Sequence, residues 1–529
     1  MTQLLHELPL RSAERAPEST ALVHRRTSQT FGELAQWLGR FSGALRALGV
    51  ERQARVAVYL PKQPETVIAI FGAALAGCVF VPVNPILKPA QVAYILKNCN
   101  VRVLVTSPER VNELAGELAQ CPELRHLVLA GDAACDAALP ALAIHRWSSL
   151  VEGAAPCAAH RVIDTDVVSI LYTSGSTGLP KGVVLSHRNM VTGAHSVASY
   201  LENAPSDRLL AVLPFSFDYG FSQLSTAFHV GGSVVLIDYL FPKDVITACA
   251  RERVTGLAGV PPLWQQLADL DWPAEARDSL RYITNSGGAM PVAVLKKLRA
   301  ALPKTRPFLM YGLTEAFRST YLPPEELDRR PESMGKAIPN AEILVVRPDG
   351  TPCGANEPGE LVHRGSLVAL GYWNDPDKTA ERYKPAPGQL PGLVLSELAV
   401  WSGDTVRKDE DGFLYFVGRR DEMIKTSGYR VSPTEVEEVL YATGLVTDAV
   451  AVGVPDTALG QAIVVVAAAA PGGTPDSERL IGECKRLLPL YMVPSAVVWR
   501  DTLPRNPNGK FDRPRLATEM REHFAGQRK

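Results

Sequence analysis

The sequence lacks the features that mark an exported, zinc-binding or nucleic-acid-binding protein. Its 529 residues include only 8 cysteines, none in a CxxC pair or at the spacing of zinc ligands. We therefore expect free thiols in a reducing compartment. The formal net charge is −1, so there is no basic excess for nucleic acid or an anionic membrane surface. Any nucleotide that this chain binds is expected to be a small molecule.

Long hydrophobic runs are also scarce. The uncharged stretch VIAIFGAALAGCVFVPV, Val67–Val83, is shorter than the roughly 20 residues that a membrane-spanning helix needs. It also contains two glycines and a proline, so a buried helix that leads into a buried strand explains it better. The N-terminal residues MTQLLHELPLRSAERAPEST carry charges throughout and lack the apolar core of a secretory signal. We expect a cytoplasmic protein without a membrane span.

Helical and strand patterns alternate along the first part of the chain. FGELAQWLGRFSGALRALGV predicts a helix that ends at Gly49, and ARVAVYL predicts a buried strand. AQVAYILKNCN and VRVLVTS repeat this order, and RLLAVLP, SVVLI and RYITNSGGAM each end an apolar run at a polar or glycine-rich turn. Strands separated by helices favour an α/β fold of layered, mostly parallel sheets.

The pattern changes near Ala341. AEILVVRPDGTPC and GELVHRG predict the short strands of a β-rich subdomain. Further on, Ser432, Pro433 and Glu435 fit the N-cap, N1 and N3 positions of a capping box. The apolar residues of the helix that follows fall on one face; they are Val436, Val439 and Leu440.

Two more predicted strands, AVAVGVPD and AIVVVAAAA, and a predicted helix, SERLIGECKRLLP, complete a small mobile α+β domain. We predict an N-terminal domain over residues 1–420 and a C-terminal domain over residues 421–529.

A glycine- and hydroxyl-rich loop, TSGSTGLPKG, follows a predicted buried strand at Thr173–Gly182. Its glycines let backbone N–H groups approach an anion closely. The spacing of Gly178 and Lys181 is not that of a Walker P-loop, which argues against a P-loop phosphotransferase. A solvated turn is the alternative, but the density of donors favours a phosphate cradle. The candidate donors are Thr173, Ser174, Ser176, Thr177 and Lys181.

Three further segments carry polar groups that could serve a nucleotide. In YGLTEA, Tyr311 could stack on a purine and Glu315 could bind Mg²⁺, although the segment could equally be a strand end with a capping threonine. Asp404 of WSGDTV could accept ribose hydroxyls or be a turn residue. Ligands gather at the carboxyl ends of parallel strands. We therefore expect the loop at Thr173–Gly182, Ser286–Ala289 and Tyr311–Glu315 to converge on one crevice.

These segments, in this order, resemble the AMP-forming adenylating superfamily of acyl- and aryl-CoA synthetases, luciferases and peptide-synthetase adenylation domains. The resemblance runs from about Phe31 to Arg513. The matching motifs are YTSGSTGLPKG, YGLTEA, GYWNDPDKT, SGDTVRKDEDGFLYFVGRRDEMIKTSGYRVSPTEVEEV and NPNGKFDR.

The resemblance implies two half-reactions. A carboxylate first attacks the α-phosphate of Mg-ATP to give an acyl-adenylate and pyrophosphate, and a thiol then displaces AMP to form a thioester. Lys181 and the loop hydroxyls would hold the β- and γ-phosphates, while Thr314 and Glu315 would bind the α-phosphate and Mg²⁺. The residues implied to frame the adenine and ribose are Gly288, Ala289, Tyr311, Asp404 and Arg419.

The C-terminal domain is implied to serve both steps. Lys510 would bridge the attacking carboxylate and the α-phosphate. A rotation about Asp421 would then withdraw Lys510 and bring the KTSGY segment, Lys425–Tyr429, to the crevice. Lys425 would act in the second step, and Gly428 would line the tunnel for the thiol.

The segment PFSFDYGFSQL, Pro214–Leu224, occupies the position of the acid pocket in this family. Asp218 resembles the aspartate that holds the substrate ammonium in amino-acid-activating members. A buried carboxylate needs a partner, which could be a substrate amine or the protein cation Arg318. The predicted pocket residues are Phe217, Asp218, Tyr219, Ser222 and Arg318.

The motif details favour an acyl-CoA ligase over the other classes. YGLTE replaces the YGPTE of peptide-synthetase domains, and NSGGAM and GYWNDPDKT are similar to acyl-CoA ligases. The alternative is a stand-alone enzyme that loads an aminoacyl or acyl group onto the phosphopantetheine of a carrier protein. A non-catalytic adenylate-binding protein would be expected to lack Lys510, Glu315 or Asp404, and all three are present. The expected small-molecule partners are a carboxylic acid, ATP, Mg²⁺ and CoA.

Overall fold

The fold was analysed in a computed structural model of the chain. The structure describes residues 2–173, 179–288, 290, 292–390, 392–419, 423–470, 472–504 and 511–526.

The described α-helices are α1 Glu7–Arg15, α2 Phe31–Ala47, α3 Pro64–Leu75, α4 Pro89–Asn98, α5 Pro108–Leu118, α6 His187–Tyr200, α7 Asp218–Val230, α8 Pro242–Glu252, α9 Pro261–Ala268, α10 Ala274–Ser279, α11 Val292–Ala301, α12 Pro376–Arg382, α13 Pro433–Ala442, α14 Ser477–Leu487 and α15 Arg513–Gly526. Short 3₁₀ turns lie at Thr314–Ala316, Pro324–Glu326 and Leu490–Met492, and a π-helical turn lies at Ser148–Glu152.

The described strands are β1 Thr20–His24, β2 Thr27–Thr30, β3 Arg55–Val58, β4 Val79–Pro82, β5 Val101–Thr106, β6 His126–Leu129, β7 Ala143–Arg146, β8 Val167–Thr173, β9 Lys181–Ser186, β10 Arg208–Ala211, β11 Ser233–Leu236, β12 Gly256–Gly259, β13 Tyr282–Asn285, β14 Arg306–Tyr311, β15 Thr320–Leu322, β16 Lys336–Ala337, β17 Ala341–Val346, β18 Gly359–Gly365, β19 Tyr383–Pro385, β20 Leu398–Lys408, β21 Leu414–Arg419, β22 Ile424–Thr426, β23 Tyr429–Val431, β24 Val446–Asp456, β25 Gly460–Ala469 and β26 Ala496–Trp499.

Two large sheets form the N-terminal part, as the alternating pattern predicts. One has seven strands in the order β7-β6-β5-β3-β4-β8-β9, and the other has nine in the order β16-β15-β14-β13-β12-β10-β11-β1-β2. Their central pairs are parallel; for example, Ala57 of β3 pairs with Leu104 of β5, and Leu210 of β10 with Leu257 of β12. The prediction of layered, mostly parallel sheets is confirmed.

Helices α2, α3, α6 and α7 contribute to one apolar core together with strands of both large sheets. Helix α3 is buried on all sides, and β4, which follows it, is buried throughout. This explains the uncharged stretch Val67–Val83, which forms a buried helix and strand as predicted. Within the described residues, no helix is both long and apolar enough to cross a bilayer. All eight cysteines are free thiols.

The β-rich subdomain is an antiparallel sheet of β17, β18, β20, β19 and β21. Beyond it, β22–β26 form a separate sheet. One apolar cluster joins this last sheet to α13 and α14, and another joins it to α15. The boundary predicted near Arg420–Asp421 lies outside the described residues.

Helix α13 begins where the sequence predicts, with Ser432 at the N-cap and Pro433 at the first position. Val436 and Leu440 are fully buried, and Val439 packs against the same cluster. The capping box, however, is wrong. The Ser432 hydroxyl makes no cap hydrogen bond. The Glu435 carboxylate instead accepts a hydrogen bond of 3.0 Å from Gln91 of α4 in the N-terminal part.

Candidate active site

A cleft lies where strand ends of both large sheets meet the hairpin formed by β22 and β23. Its lining includes Thr173 and Lys181 beside the loop, Ser286 and Gly287 after β13, and the segment 312–315 after β14. Gly428, Tyr429 and Arg430 close it from the C-terminal side. The three segments predicted to converge do so in their described residues.

Several predicted residues cannot be placed in this cleft. Ser174, Ser176, Thr177, Ala289, Asp421 and Lys510 lie outside the described residues.

Glu315 is held by groups that stabilise its ionised form. Tyr372 donates a hydrogen bond of 2.6 Å to its carboxylate. Burial pushes the pKa of Glu315 upward, but the charge of Arg382 and the Tyr372 hydrogen bond outweigh it and hold the pKa below its ordinary value. Glu315 therefore supplies a carboxylate at neutral pH, as a magnesium ligand must.

Lys181 lies at the start of β9 with its ammonium 5.2 Å from the centre of the Tyr372 ring. Burial, followed by the neighbouring charge of Arg382, lowers the pKa of Lys181. A polyphosphate bound in the cleft would bring negative charge to these two neighbouring cations.

The predicted adenine and ribose residues lie in two groups. The Tyr311 hydroxyl donates a hydrogen bond of 2.6 Å to Asp404, which is buried. In the antiparallel pairing of β20 with β21, the backbone of Asp404 lies opposite that of Arg419. Gly288 accepts a hydrogen bond from the Asn285 side chain through its carbonyl. Tyr311 thus links two of the predicted nucleotide-binding segments through Asp404.

The predicted acid pocket contains a buried ion pair. Arg318 and Asp218 meet at 3.1 Å, with only 2% and 4% of their side chains exposed. Thr314 donates a second hydrogen bond, also of 3.1 Å, to the other oxygen of Asp218. Burial raises the pKa of the Asp218 carboxyl, although Arg318 and Thr314 act in the opposite direction. The sequence leaves two partners open for Asp218, a substrate amine or Arg318. The structure shows Asp218 paired with Arg318.

The other predicted pocket residues lie on or beside α7. The Tyr219 hydroxyl lies 2.6 Å from the Thr284 hydroxyl on β13. Ser222 faces Thr226 one turn further along the helix at 3.4 Å. Phe217, which precedes the helix, contacts the Tyr219 ring edge to face with 6.0 Å between ring centres.

The C-terminal hairpin reaches the cleft through Gly428 and not through Lys425. Gly428 has φ +81°, and a Cβ added there would lie 2.7 Å from the Val260 side chain. The Lys425 ammonium instead lies 4.3 Å from the centre of the Phe416 ring, and its backbone N–H donates to Gln461.

Sequence reasoning assigned no role to Tyr372, Arg382 or Arg430, yet all three line the cleft. Tyr372 belongs to the quoted motif GYWNDPDKT, and Arg382 ends the helix that this motif begins. Arg430 directly follows the KTSGY segment. Their positions within or next to recognised motifs were the available signal.

Residues 10–373 match the family described as AMP-binding enzyme, and residues 435–510 match the AMP-binding enzyme C-terminal domain. The chain is 32% identical to a feruloyl-CoA synthase of Amycolatopsis sp over 99% of both chains. It is 31% identical to an L-proline–[L-prolyl-carrier protein] ligase of Pseudomonas fluorescens over 98% of this chain and 99% of the relative. It is also 30% identical, over 96% of its length, to one component of the linear gramicidin synthase of Brevibacillus parabrevis, but spans only 6% of that protein.

Two solved structures of one enzyme, o-succinylbenzoate CoA synthetase from Bacillus subtilis, resemble this chain at 26% identity. Both comparisons cover 96% of this chain and 97% of the other. A double mutant bound with a product analogue gives a TM-score of 0.82, and the complex with the acyl-adenylate intermediate gives 0.68. The chain belongs to the AMP-binding enzyme family and is an ATP-dependent, AMP-forming ligase.

Proposed function

We propose that this protein is an acyl-CoA ligase, which converts a carboxylic acid, ATP and CoA into an acyl-CoA, AMP and pyrophosphate. The observation that carries the proposal is a second cavity that adjoins the cleft at Gly428. Asn84, Ser216, Phe217, Gly428 and Tyr429 border both cavities. The second cavity thus offers a passage through which a thiol could reach the reacting carbon.

In the first half-reaction, the acid carboxylate attacks the α-phosphate and pyrophosphate leaves. The protein needs no nucleophile of its own for this step; it must orient the reactants and neutralise charge. Lys181 and Arg382 supply positive charge at one end of the cleft, and Thr314 offers a hydroxyl beside the acid pocket. Lys510 is assigned by the family resemblance to bridge the two reacting groups.

The metal requirement fits this donor set. Within the described residues, no group of three histidine, cysteine or acidic side chains could form a metal cage. Mg²⁺ is commonly bound by one or two carboxylates together with substrate phosphates, and Glu315 supplies one ionised carboxylate at the cleft. When bound there, Mg²⁺ would neutralise phosphate charge.

In the second half-reaction, the thiol sulfur attacks the acyl carbon and gives up its proton to solvent, the bond between the acyl carbon and the phosphate oxygen breaks, and AMP leaves with its electrons. The arrangement of the two domains supports this step. The chain fits the product-analogue complex of o-succinylbenzoate CoA synthetase better than the acyl-adenylate complex, with TM-scores of 0.82 and 0.68. Gly428 also lies against Val260 at the junction of the two cavities.

The choice of CoA as acceptor is supported by a groove beside the passage that carries exposed arginines. Asp238 borders both the passage and this groove. The groove is lined by four arginines and by three acidic residues, Asp238, Asp244 and Glu252. Arg208 and Arg251 pair with Glu252, whereas Arg25 and Arg26 are exposed at the tip of the hairpin between β1 and β2. Arginines favour phosphate groups, and CoA carries phosphates on its nucleotide. The proline–carrier-protein ligase relative keeps a carrier protein as the alternative acceptor.

The test compares acceptors that share the pantetheine arm. Arg25→Ala with Arg26→Ala should raise KM for CoA, on the order of tenfold, without changing KM for pantetheine or acid-dependent ATP–pyrophosphate exchange. An equal rise in KM for CoA and for pantetheine would contradict a role of the groove in binding the nucleotide of CoA. A protein that shows acid-dependent ATP–pyrophosphate exchange and transfers the acyl group to a carrier protein, but forms no thioester with CoA, would favour the carrier-protein ligase. No acid-dependent exchange at all would contradict the ligase itself.

A further inference from the structure

Arg318 is a fully buried cation with unused hydrogen-bond donors. Its Nη1 atom contacts Asp218 at 3.1 Å, and its guanidinium carbon lies 4.6 Å from the centre of the Tyr219 ring. Its Nε and Nη2 atoms are buried without a hydrogen-bond partner among the described residues. Leaving such donors unsatisfied costs about 1–3 kcal/mol each, so a structure that retains them calls for an explanation.

The position of Arg318 suggests what these donors serve. The residue lines the reaction cleft and also a small inner cavity of about 30 Å³ between α6, α7 and the nine-stranded sheet. The inner cavity is bordered by Ser222 and Gln223 of α7, and the Gln223 carbonyl oxygen is likewise buried without a partner among the described residues. Arg318 thus forms a shared wall of the cleft and the inner cavity, and unsatisfied polar atoms lie at that wall.

The charge of this site decides which group can bind there. Asp218 and Arg318 compensate each other, and the charges of Arg430 and Glu315, which also act on Asp218, are opposite in sign. A substrate ammonium would meet a guanidinium beside the carboxylate that it needs, and a second substrate carboxylate would leave the buried group with a net negative charge. Both arrangements bury an uncompensated charge, which is costly.

A purely hydrocarbon tail is disfavoured for a different reason. It would cover the two free N–H groups, displace any water that hydrates them, and offer no acceptor in exchange. A neutral oxygen acceptor satisfies the donors without adding charge.

We propose that the acid activated by this enzyme carries a neutral hydrogen-bond acceptor, a hydroxyl, keto or amide oxygen, that binds the Nε and Nη2 groups of Arg318, and that the Asp218–Arg318 pair excludes free amino acids. The inference rests on the proposed function, since it names the substrate class of the same site. Arg318 is then the residue that determines specificity at the end of the acid pocket.

The test is a panel of acids in the ATP–pyrophosphate exchange assay. At each of several chain lengths, the acids differ only in a distal methyl, hydroxyl, keto, primary amide, ammonium or carboxylate group. The best neutral acceptor acid should exceed its methyl counterpart in kcat/KM by on the order of 100-fold, and the ammonium and carboxylate acids should be poorer still. A methyl acid equal to the best acceptor acid, or an ammonium or carboxylate acid above it, would overturn the inference.

Variants connect this preference to the ion pair. The double variant Asp218→Asn with Arg318→Met removes both charges together, so that no unpaired charge is left buried. It should reduce the preference for acceptor acids to within about threefold. A matched control is Asp207→Asn with Arg281→Met, which removes another Asp–Arg pair, at 2.6 Å, that borders neither cavity. The control should keep the full preference.

If the double variant does not fold, Arg318→Lys tests the same preference with a smaller change. A lysine keeps a cation opposite Asp218 but lacks the planar edge that presents two parallel N–H groups. It should lower the preference for acceptor acids about tenfold while still rejecting ammonium acids. An unchanged preference in Arg318→Lys would overturn the inference, whereas the absence of exchange with every acid in the wild-type protein would instead contradict the proposed function.

Discussion

The two walls of the cleft are built differently. On the N-terminal wall, buried hydrogen bonds fix the polar groups to one another, as in the chain from Thr314 through Asp218 to Arg318. The C-terminal wall consists of one short hairpin together with Glu435, Tyr491 and Met492. It meets the other side through Gly428 against Val260 and through the hydrogen bond between Gln91 and Glu435. For the proposed two-step reaction, we expect the first wall to act as a preorganised binding surface and the second to be replaced by another face of the small domain. Two half-reactions that take place in one cleft require such a replacement of one domain face by another.

The largest effect is expected at Lys510, which the family resemblance assigns to the face of the small domain that serves the first half-reaction. Lys510→Ala should lower acid-dependent ATP–pyrophosphate exchange by on the order of 1,000-fold, because a charge that stabilises the transition state is lost. Thioester formation from a supplied acyl-adenylate should stay largely intact. Stopped assays of the two half-reactions on one preparation measure both values.

The exposed lysine of α14 provides the control: Lys485→Ala should leave both half-reactions unchanged. Equal losses in the two half-reactions of Lys510→Ala would show that one arrangement of the walls serves both.

The next effect should appear on the hairpin. Gly428→Ala places a Cβ 2.7 Å from Val260 and should displace the hairpin. Thioester formation should fall by on the order of 10- to 100-fold, since displacements of about 1 Å cost that much, while pyrophosphate exchange should persist. Rates of thioester formation from a supplied acyl-adenylate give the measurement.

Strain from the positive φ angle must be separated from this contact. Gly444 has φ +68°, and a Cβ added there would have nothing within 4 Å among the described residues, so Gly444→Ala reproduces the strain alone. Val260→Ala added to Gly428→Ala should restore part of the rate. Failure of that rescue would mean that the contact with Val260 does not position the hairpin.

A moderate effect is expected from the support of Glu315 on the fixed wall. Tyr372→Phe removes a hydrogen bond that lowers the pKa of Glu315, so that pKa should rise. Glu315 would then lose its charge at a higher pH, and the acidic limb of the pH profile for pyrophosphate exchange should move upward. The loss of kcat/KM on that limb should be about tenfold.

Tyr383→Phe is the matched control for Tyr372→Phe. The two rings are in contact at 5.7 Å, but the Tyr383 hydroxyl is buried without a hydrogen-bond partner among the described residues. An acidic limb that stays in place in Tyr372→Phe, or moves equally in Tyr383→Phe, would contradict the role given to this hydrogen bond.

The smallest effect should come from the polar contact between the walls. Gln91→Ala removes the hydrogen bond to Glu435, worth about 1 kcal/mol or roughly a fivefold shift in the population of this domain arrangement. Thioester formation should slow by up to that factor, with no loss of pyrophosphate exchange. Gln120→Ala, on an exposed part of the same domain, should change neither rate; a loss of exchange in Gln91→Ala would contradict this account.

Much of the fold could be predicted because local patterns decided it. The uncharged stretch Val67–Val83 is apolar on every side, and both the helix and the strand that it forms are buried. The convergence of the loops after β13 and β14 followed from the parallel pairing of these neighbouring strands. The loop after β8 belongs to the other large sheet, so its place in the same cleft depends on how the two sheets pack. Contacts that depend on distant side chains were less accessible.

The capping box at Ser432 and Glu435 shows this limit. The local spacing was correct, but Gln91, distant in sequence, offers Glu435 another partner. The partner of Asp218 was likewise open, because the sequence shows which charges are present but not which of them meet inside a pocket. The support of Glu315 by Tyr372 was missed, since an aromatic residue in a motif does not reveal where its hydroxyl points.

The exchange of walls can be tested directly by fixing them. Gln91→Cys and Glu435→Cys, with the partly exposed Cys135, Cys157 and Cys353 changed to serine, allow a short bis-methanethiosulfonate cross-linker to hold the observed arrangement through two reducible disulfides. The cross-linked protein should lose acid-dependent ATP–pyrophosphate exchange but still form thioester from a supplied acyl-adenylate and CoA, and reduction should restore exchange. The single-cysteine variants should keep full pyrophosphate exchange and form thioester no more than about fivefold more slowly, because they lose only the hydrogen bond between Gln91 and Glu435. Full pyrophosphate exchange in the cross-linked protein would contradict the account.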